Sequence, residues 1–172
     1  TINGGVFISE ESYVLYNGNG TTTINGGTFK ALGDKSDAYG LNNRSRLNIQ
    51  GGSIYSTSTY GIYNYQGTLS VGIKDDNIDN TKVNIEGNTY GVYMLKGNLN
   101  FYDGIIKGKA GSIFGNVSEV ENSSDITTED EVIGETTYIK SYPEGIKDYI
   151  KNQNTGNSYF ELQTAIDEAT TD

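Results

Sequence analysis

Along the first two thirds of the chain, apolar side chains recur at every second position within short runs, and the runs end at Gly or Asn. A period of two marks a strand with one buried face, and Gly and Asn tolerate the positive φ of a tight turn. The cleanest example is LNIQGGSIYSTSTYGIYNYQG, residues 47–67, which carries no charge. Pieces of it return elsewhere. The motif I-x-G-G-x-apolar occurs as INGGVF from Ile2, INGGTF from Ile24 and IQGGSI from Ile49, with weaker copies IEGNTY from Ile85 and FYDGII from Phe101. A second motif follows: YVLYNG from Tyr13, YGLNNR from Tyr39, YGIYNY from Tyr60, YGVYML from Tyr90 and a degraded GSIFGN from Gly111. Those five anchors are 26, 21, 30 and 21 residues apart.

Strand-like repeats of this length predict an all-β solenoid, a right-handed parallel β-helix of about five coils. Three short strands and three turns fit the smallest unit, and longer units need only a loop at one corner, such as GIKDDNIDN at 72–80. Leu is too sparse for a leucine-rich repeat, and a propeller blade needs a longer period. Residues at equivalent positions then stack at roughly 4.8 Å. The expected inward ladders are Ile24, Ile49 and Ile85; Phe29 and Ile54; Leu47, Leu69 and Leu99; and Leu15, Leu41, Ile62 and Val92. Residues two apart share a face, so Tyr60 is expected with Ile62, and Gly61 with Tyr63. Tyr16, Tyr63 and Tyr93 then form an outward ladder interrupted by Asn42, and Asn17, Asn43 and Asn64 an amide ladder that Met94 breaks. The Gly-Gly pairs are expected at corners, one residue of each with positive φ.

Composition agrees: 23 of 172 residues are Gly and 1 is Pro, which suits turns and strands better than a helical bundle. The formal charge of -10, with no Lys/Arg stripe, argues against nucleic acid and anionic membranes as partners. With no His and no Cys, the commonest general base, thiol nucleophiles, disulfides and zinc–thiolate sites are excluded. The chain opens inside a repeat at Thr1, which reads as an excised or mature piece.

INGGTF, YGIYN, GTLSVGIKDDN and LNFYDGIIKGKAGSIFGN resemble the repeat regions of bacterial, mainly Gram-positive, cell-surface and exported proteins with pectin-lyase-like β-helices. The resemblance covers about residues 1–116, and FYDGIIKGK is its most specific element. It implies a right-handed parallel β-helix and extracellular display. It implies no particular activity, because this fold carries lyases, hydrolases, adhesins and inert stalks alike.

Residues 1–116 are therefore read as β-helix coils and 117–159 as an acidic loop and edge-strand region, with a strand at EVIGETTYIKSY and a turn at Pro143. FELQTAIDEAT, within 160–172, is read as a short amphipathic C-terminal helix. It either covers the open end of the last coil or, as the resemblance implies, begins the next β-helix unit.

The candidate chemistry is sparse. Asp75, Asp76 and Asp79 project from the insert, and Asp34 and Asp37 from an earlier unit. Inverting glycoside hydrolysis needs two carboxyl groups about 6.5–9.5 Å apart. A lyase scheme on this fold would set Arg44 or Arg46 beside Asp34 and Asp37 as the base. Against both stands the plainer reading, charged loop residues that keep a sheet-rich chain soluble. The same Asp75, Asp76 and Asp79 are calcium candidates, set against a polar turn, and the lyase scheme would place carboxylate-bound calcium at Asp34 and Asp37. Tyr16, Tyr63, Tyr65 and Tyr93, with Asn42 and Asn64, form a candidate glycan-binding strip, set against rings that stack on one another. The favoured function is a non-enzymatic extracellular repeat module, a surface stalk or adhesin-type display segment on a bacterial cell surface, or secreted. Its partners would be host or microbial glycans or proteins. The alternatives are a carbohydrate-binding or polysaccharide-degrading β-helix and an end-to-end self-assembling filament subunit.

Overall fold

A computed structural model describes residues 1–74, 78–115 and 126–143, and the backbone of short strands at 120–121, 150–151 and 158–159. Among the described residues the chain is all-β. Strands follow one another in threes: β1 (Val6–Ser9), β2 (Leu15–Asn17) and β3 (Thr21–Ile24); then β4 (Thr28–Ala31), β5 (Leu41–Asn43) and β6 (Arg46–Ile49); then β7 (Gly52–Ser56), β8 (Tyr60–Asn64) and β9 (Thr68–Val71). The pattern continues with β10 (Val83–Gly87), β11 (Tyr90–Met94) and β12 (Asn98–Phe101), and with β13 (Ile105–Gly108), β14 (Gly111–Phe114) and β15 (Val120–Glu121). Each strand pairs in parallel with its counterpart one repeat on. The result is three sheets, ordered β1-β4-β7-β10-β13, β2-β5-β8-β11-β14 and β3-β6-β9-β12-β15. This is a solenoid-like arrangement.

The register makes like residues neighbours. Leu47 opposes Leu69, and Leu69 opposes Leu99. Leu15, Leu41, Ile62 and Val92 follow in line, with Ile113 after them. Phe29 lies on Ile54. Leu47, Ile62, Leu69 and Val92 are fully buried, and Leu41, Ile54 and Leu99 almost so. Full burial of one such side chain contributes about 1.5–3 kcal/mol, and the ladders together form one continuous core.

One ladder differs from expectation. Ile24 does lie on Ile49, but the next rungs are Val71 and Phe101. Ile85 sits on another sheet, between Ile54 and Ile106. The loop between Val71 and Val83 separates the halves of this unit's first motif, so the I-x-G spelling at Ile85 falls at the position of Ile54. The positive φ falls on the second glycine of each corner: Gly5, Gly27 and Gly52, and Gly104 in FYDGII, with φ of 113°, 111°, 105° and 99°.

Beyond the parallel strands, β16 (Ile126–Ile133) and β17 (Thr136–Pro143) form an antiparallel hairpin whose β17 pairs with β13. One strand was expected here and two are present, turning at Gly134, whose φ is 63°. Pro143 ends β17, a position where no ladder donor is needed. Lys107 and Lys140 oppose each other across the junction. Glutamates offset them: Lys107 pairs with Glu86 at 3.4 Å and Glu131 at 3.5 Å, and Lys140 with Glu129 at 2.8 Å. Acidic residues on β16 also blunt the outer sheet edge. The strands β18 (Ile150–Lys151) and β19 (Ser158–Tyr159) pair with each other. The expected helix at 160–172 lies outside the described residues.

Candidate functional site

The outer face of the β2-β5-β8-β11-β14 sheet carries the aromatic stripe. Tyr16, Asn42, Tyr63 and Tyr93 follow in register, and Phe114 continues the line. The rings lie face to face: Tyr39–Tyr63 at 4.8 Å, Tyr60–Tyr93 at 4.6 Å and Tyr93–Phe114 at 4.8 Å between centroids, all within 27° of parallel. Tyr39 thus lies against the ring next to the gap that Asn42 leaves. Neighbouring rings cover one another's faces. Burial, with the adjacent phenols adding to it, raises the pKa of Tyr39, Tyr60 and Tyr63 above the ordinary value of 10.0.

Tyr60 departs from the expected alternation, since its ring lies with those of Tyr63 and Tyr93 rather than on the inner side with Ile62. The intervening Gly61 is the reason. It is buried, and a Cβ there would come within 2.7 Å of the Gly91 carbonyl oxygen and 2.8 Å of Ile85 Cγ2. Gly40 and Gly91 pack likewise on Ile54 and Ile106. The Tyr-Gly pairs therefore mark a close approach of this sheet to the isoleucine ladder next door, and each Tyr swings outward. The recurring YG spelling was the available signal for Tyr39, Tyr60 and Tyr90.

Of the proposed binding strip, the structure brings Tyr63, Tyr65 and Tyr93 together, with Tyr65 tilted against Tyr63 at 6.3 Å. Tyr16 stands apart from that group, in contact with Tyr13 and half exposed. Asn42 is buried, and its Oδ1 has no hydrogen-bond partner among the described residues. Asn64 is fully buried in a ladder of its own. Asn17 Nδ2 donates to Asn43 Oδ1 at 2.7 Å, Asn43 Nδ2 to Asn64 Oδ1 at 2.6 Å, and Asn64 Nδ2 to the Lys96 carbonyl at 2.8 Å. Met94 occupies the next position, so a backbone oxygen ends the chain of amides.

Arg44 follows the ladder at the β5–β6 turn. Its guanidinium lies over the Tyr65 ring at 4.1 Å and toward the Tyr16 ring at 5.8 Å, from the repeats on either side. Beside it opens a groove of about 530 Å³, lined by Thr21, Arg44, Ser45, Arg46, Gln66 and Thr68. Asp34 and Asp37 lie before β5 and Arg44 after it, at opposite ends of the strand. Asp37 accepts a hydrogen bond from the Ser12 hydroxyl at 3.0 Å, and the neighbouring Lys35 pairs with Glu11.

The insert is organised by Asp103, which takes the place of the first corner glycine in FYDGII and which the sequence did not single out. This buried carboxylate accepts from the Ile73 amide at 3.2 Å and the Asp79 amide at 2.6 Å, pinning both ends of the loop. Asn80 joins in, accepting from the Gly104 amide at 3.0 Å. Asp79 accepts from the Thr81 amide and hydroxyl and pairs with Lys82 at 3.6 Å. The Thr81 hydroxyl and amide bonds hold its pKa below the ordinary carboxylate value. Asp79 thus shapes a turn. Asp75 and Asp76 lie outside the described residues. Among those described, no group of three or more His, Cys, Asp or Glu comes together as a metal site.

The fold and these sites define an all-β chain of three stacked parallel sheets. No protein-family model matches it, and no curated protein and no solved structure does either.

Proposed function

We propose that this chain is a segment of right-handed parallel β-helix, of about five coils and pectin-lyase-like type, that serves as a non-enzymatic stalk or adhesin-type display module on an exported bacterial protein. The carrying observation is that the repeated polar and aromatic side chains engage one another. The amides bond in line, the rings stack in line, and Asp79 and Asp103 hold a loop. Such a chain gains axial stiffness, and among the described residues these side chains are committed to the fold. The test is an assay of the chain on acidic and neutral polysaccharides. The stalk reading expects no release of unsaturated or reducing sugar. Release that is lost on Asp75→Asn or Arg44→Ala would replace it with an enzyme.

A second reading, saccharide binding without catalysis, is favoured by one observation: Arg44 held between two tyrosines over an open polar groove. Glycan-array binding by the intact chain supports it, and an array with no signal removes it.

A further inference from the structure

We propose that the groove beside Arg44 and Arg46 is a binding site for an oxyanion, carboxylate or sulfate, carried on a saccharide; the inference rests on the saccharide-binding reading above. The chain has a formal charge of -10, yet its two arginines sit two positions apart in one groove with no acidic residue in its lining. Lys35, Lys82, Lys107 and Lys140 are each held by a carboxylate. Neither arginine is in an ion pair among the described residues.

The groove exists because one turn is short. Three residues separate β2 from β3, β8 from β9 and β11 from β12, but only Arg44 and Ser45 separate β5 from β6. The surface therefore recedes between its neighbours, and Gly20 and Gly67, with φ of 79° and 89°, form the flanking turns. Arg44 occupies the position that is Tyr65 one repeat later, so the cation sits in an aromatic stack. The Tyr65 ring at 4.1 Å and the Tyr16 ring at 5.8 Å hold the guanidinium by its π contacts and accept none of its N–H groups in an ion pair, and the planar fork matches the two oxygens of a carboxylate or sulfate. Arg46 starts β6 beside it, exposed. Thr21, Ser45, Gln66 and Thr68 supply hydroxyl and amide groups of the kind that bond sugar hydroxyls. Self-stacking covers the ring faces along the tyrosine stripe, so the groove, rather than the stripe, is where a saccharide finds free donors.

The test is isothermal titration at low salt of the chain with three probes: an oligogalacturonide, a sulfated dextran oligosaccharide and the unsulfated dextran oligosaccharide. The expected result is binding of an anionic probe and none of the neutral one, and the preferred anionic probe tells carboxylate from sulfate. Arg44→Lys keeps the charge and loses the fork, and is expected to weaken binding about tenfold, with Arg46→Gln acting in the same direction. Thermal melting of both variants shows whether any loss is local. Equal binding of neutral and anionic dextran, unchanged in Arg44→Lys and Arg46→Gln, overturns the inference while the saccharide reading stands. Absence of binding by all three probes at millimolar concentration overturns both.

Discussion

Two ladders run side by side on the β2-β5-β8 sheet, one residue apart in sequence. Asn17, Asn43 and Asn64 turn inward; Tyr16, Asn42 and Tyr63 turn outward. The inner ladder is polar yet wholly buried, and each amide is satisfied by the next. Facing solvent, the outer line is mostly aromatic, and Tyr63 and Tyr93 stack on rings from adjacent repeats. Repetition at a position thus says that a side chain serves its own copies, whichever way it faces. The departures carry a different meaning. Asn42 breaks the aromatic line with an oxygen that has no partner among the described residues, and Arg44 stands where the other repeats carry Gly18, Tyr65 and Leu95, at a turn one residue shorter than theirs.

The comparison can be broken first at the inner ladder. Asn43→Ala leaves a donor on Asn17 and an acceptor on Asn64 buried without their partners. It is expected to lower stability by about 4 kcal/mol in urea unfolding, at about 2 kcal/mol per orphaned group. A loss under 1 kcal/mol would mean that the amides are not coupled. Next in size is Ile62→Ala, a fully buried rung, expected at about 3 kcal/mol by the same measurement. Tyr63→Ala removes stacking on Tyr39 and a tilted ring contact with Tyr93 and is expected at about 2 kcal/mol. No change there would show an outer line that contributes nothing to the fold.

The smallest effect is on pH. Burial raises the Tyr39, Tyr60 and Tyr63 phenols above 10.0, so the folded state binds these protons more tightly than the unfolded one. Their contribution is complete below pH 10 and is lost as pH rises through the higher folded values. Phenolate absorbance is expected to rise later in the folded chain than in urea, and Tyr63→Phe to narrow that gap. Coincident titrations would contradict the packing.

Much of this was legible because a parallel register turns spacing into contact. The Leu47, Leu69 and Leu99 line, the Leu15 to Val92 line and the amide ladder with its break at Met94 all follow from counting. The failures came where counting was interrupted. The 72–82 loop displaced Ile85 to another sheet. At Gly61, a close approach between sheets reversed the side of Tyr60. Asp103 was hidden because its role is to bind amides from a loop some thirty residues earlier in the chain. The groove was hidden because a turn shorter by one residue has meaning only beside its neighbours. Arg44 was singled out for chemistry with Asp34 and Asp37, which lie at the far end of β5.

The central claim is that repeated positions hold the fold and the departure at Arg44 does not. The most direct test sets adjacent residues against each other, in urea unfolding of Asn43→Ala and Arg44→Lys under identical conditions. A large fall in midpoint is expected for Asn43→Ala and none for Arg44→Lys. Equal falls, or a larger one for Arg44→Lys, would contradict the claim.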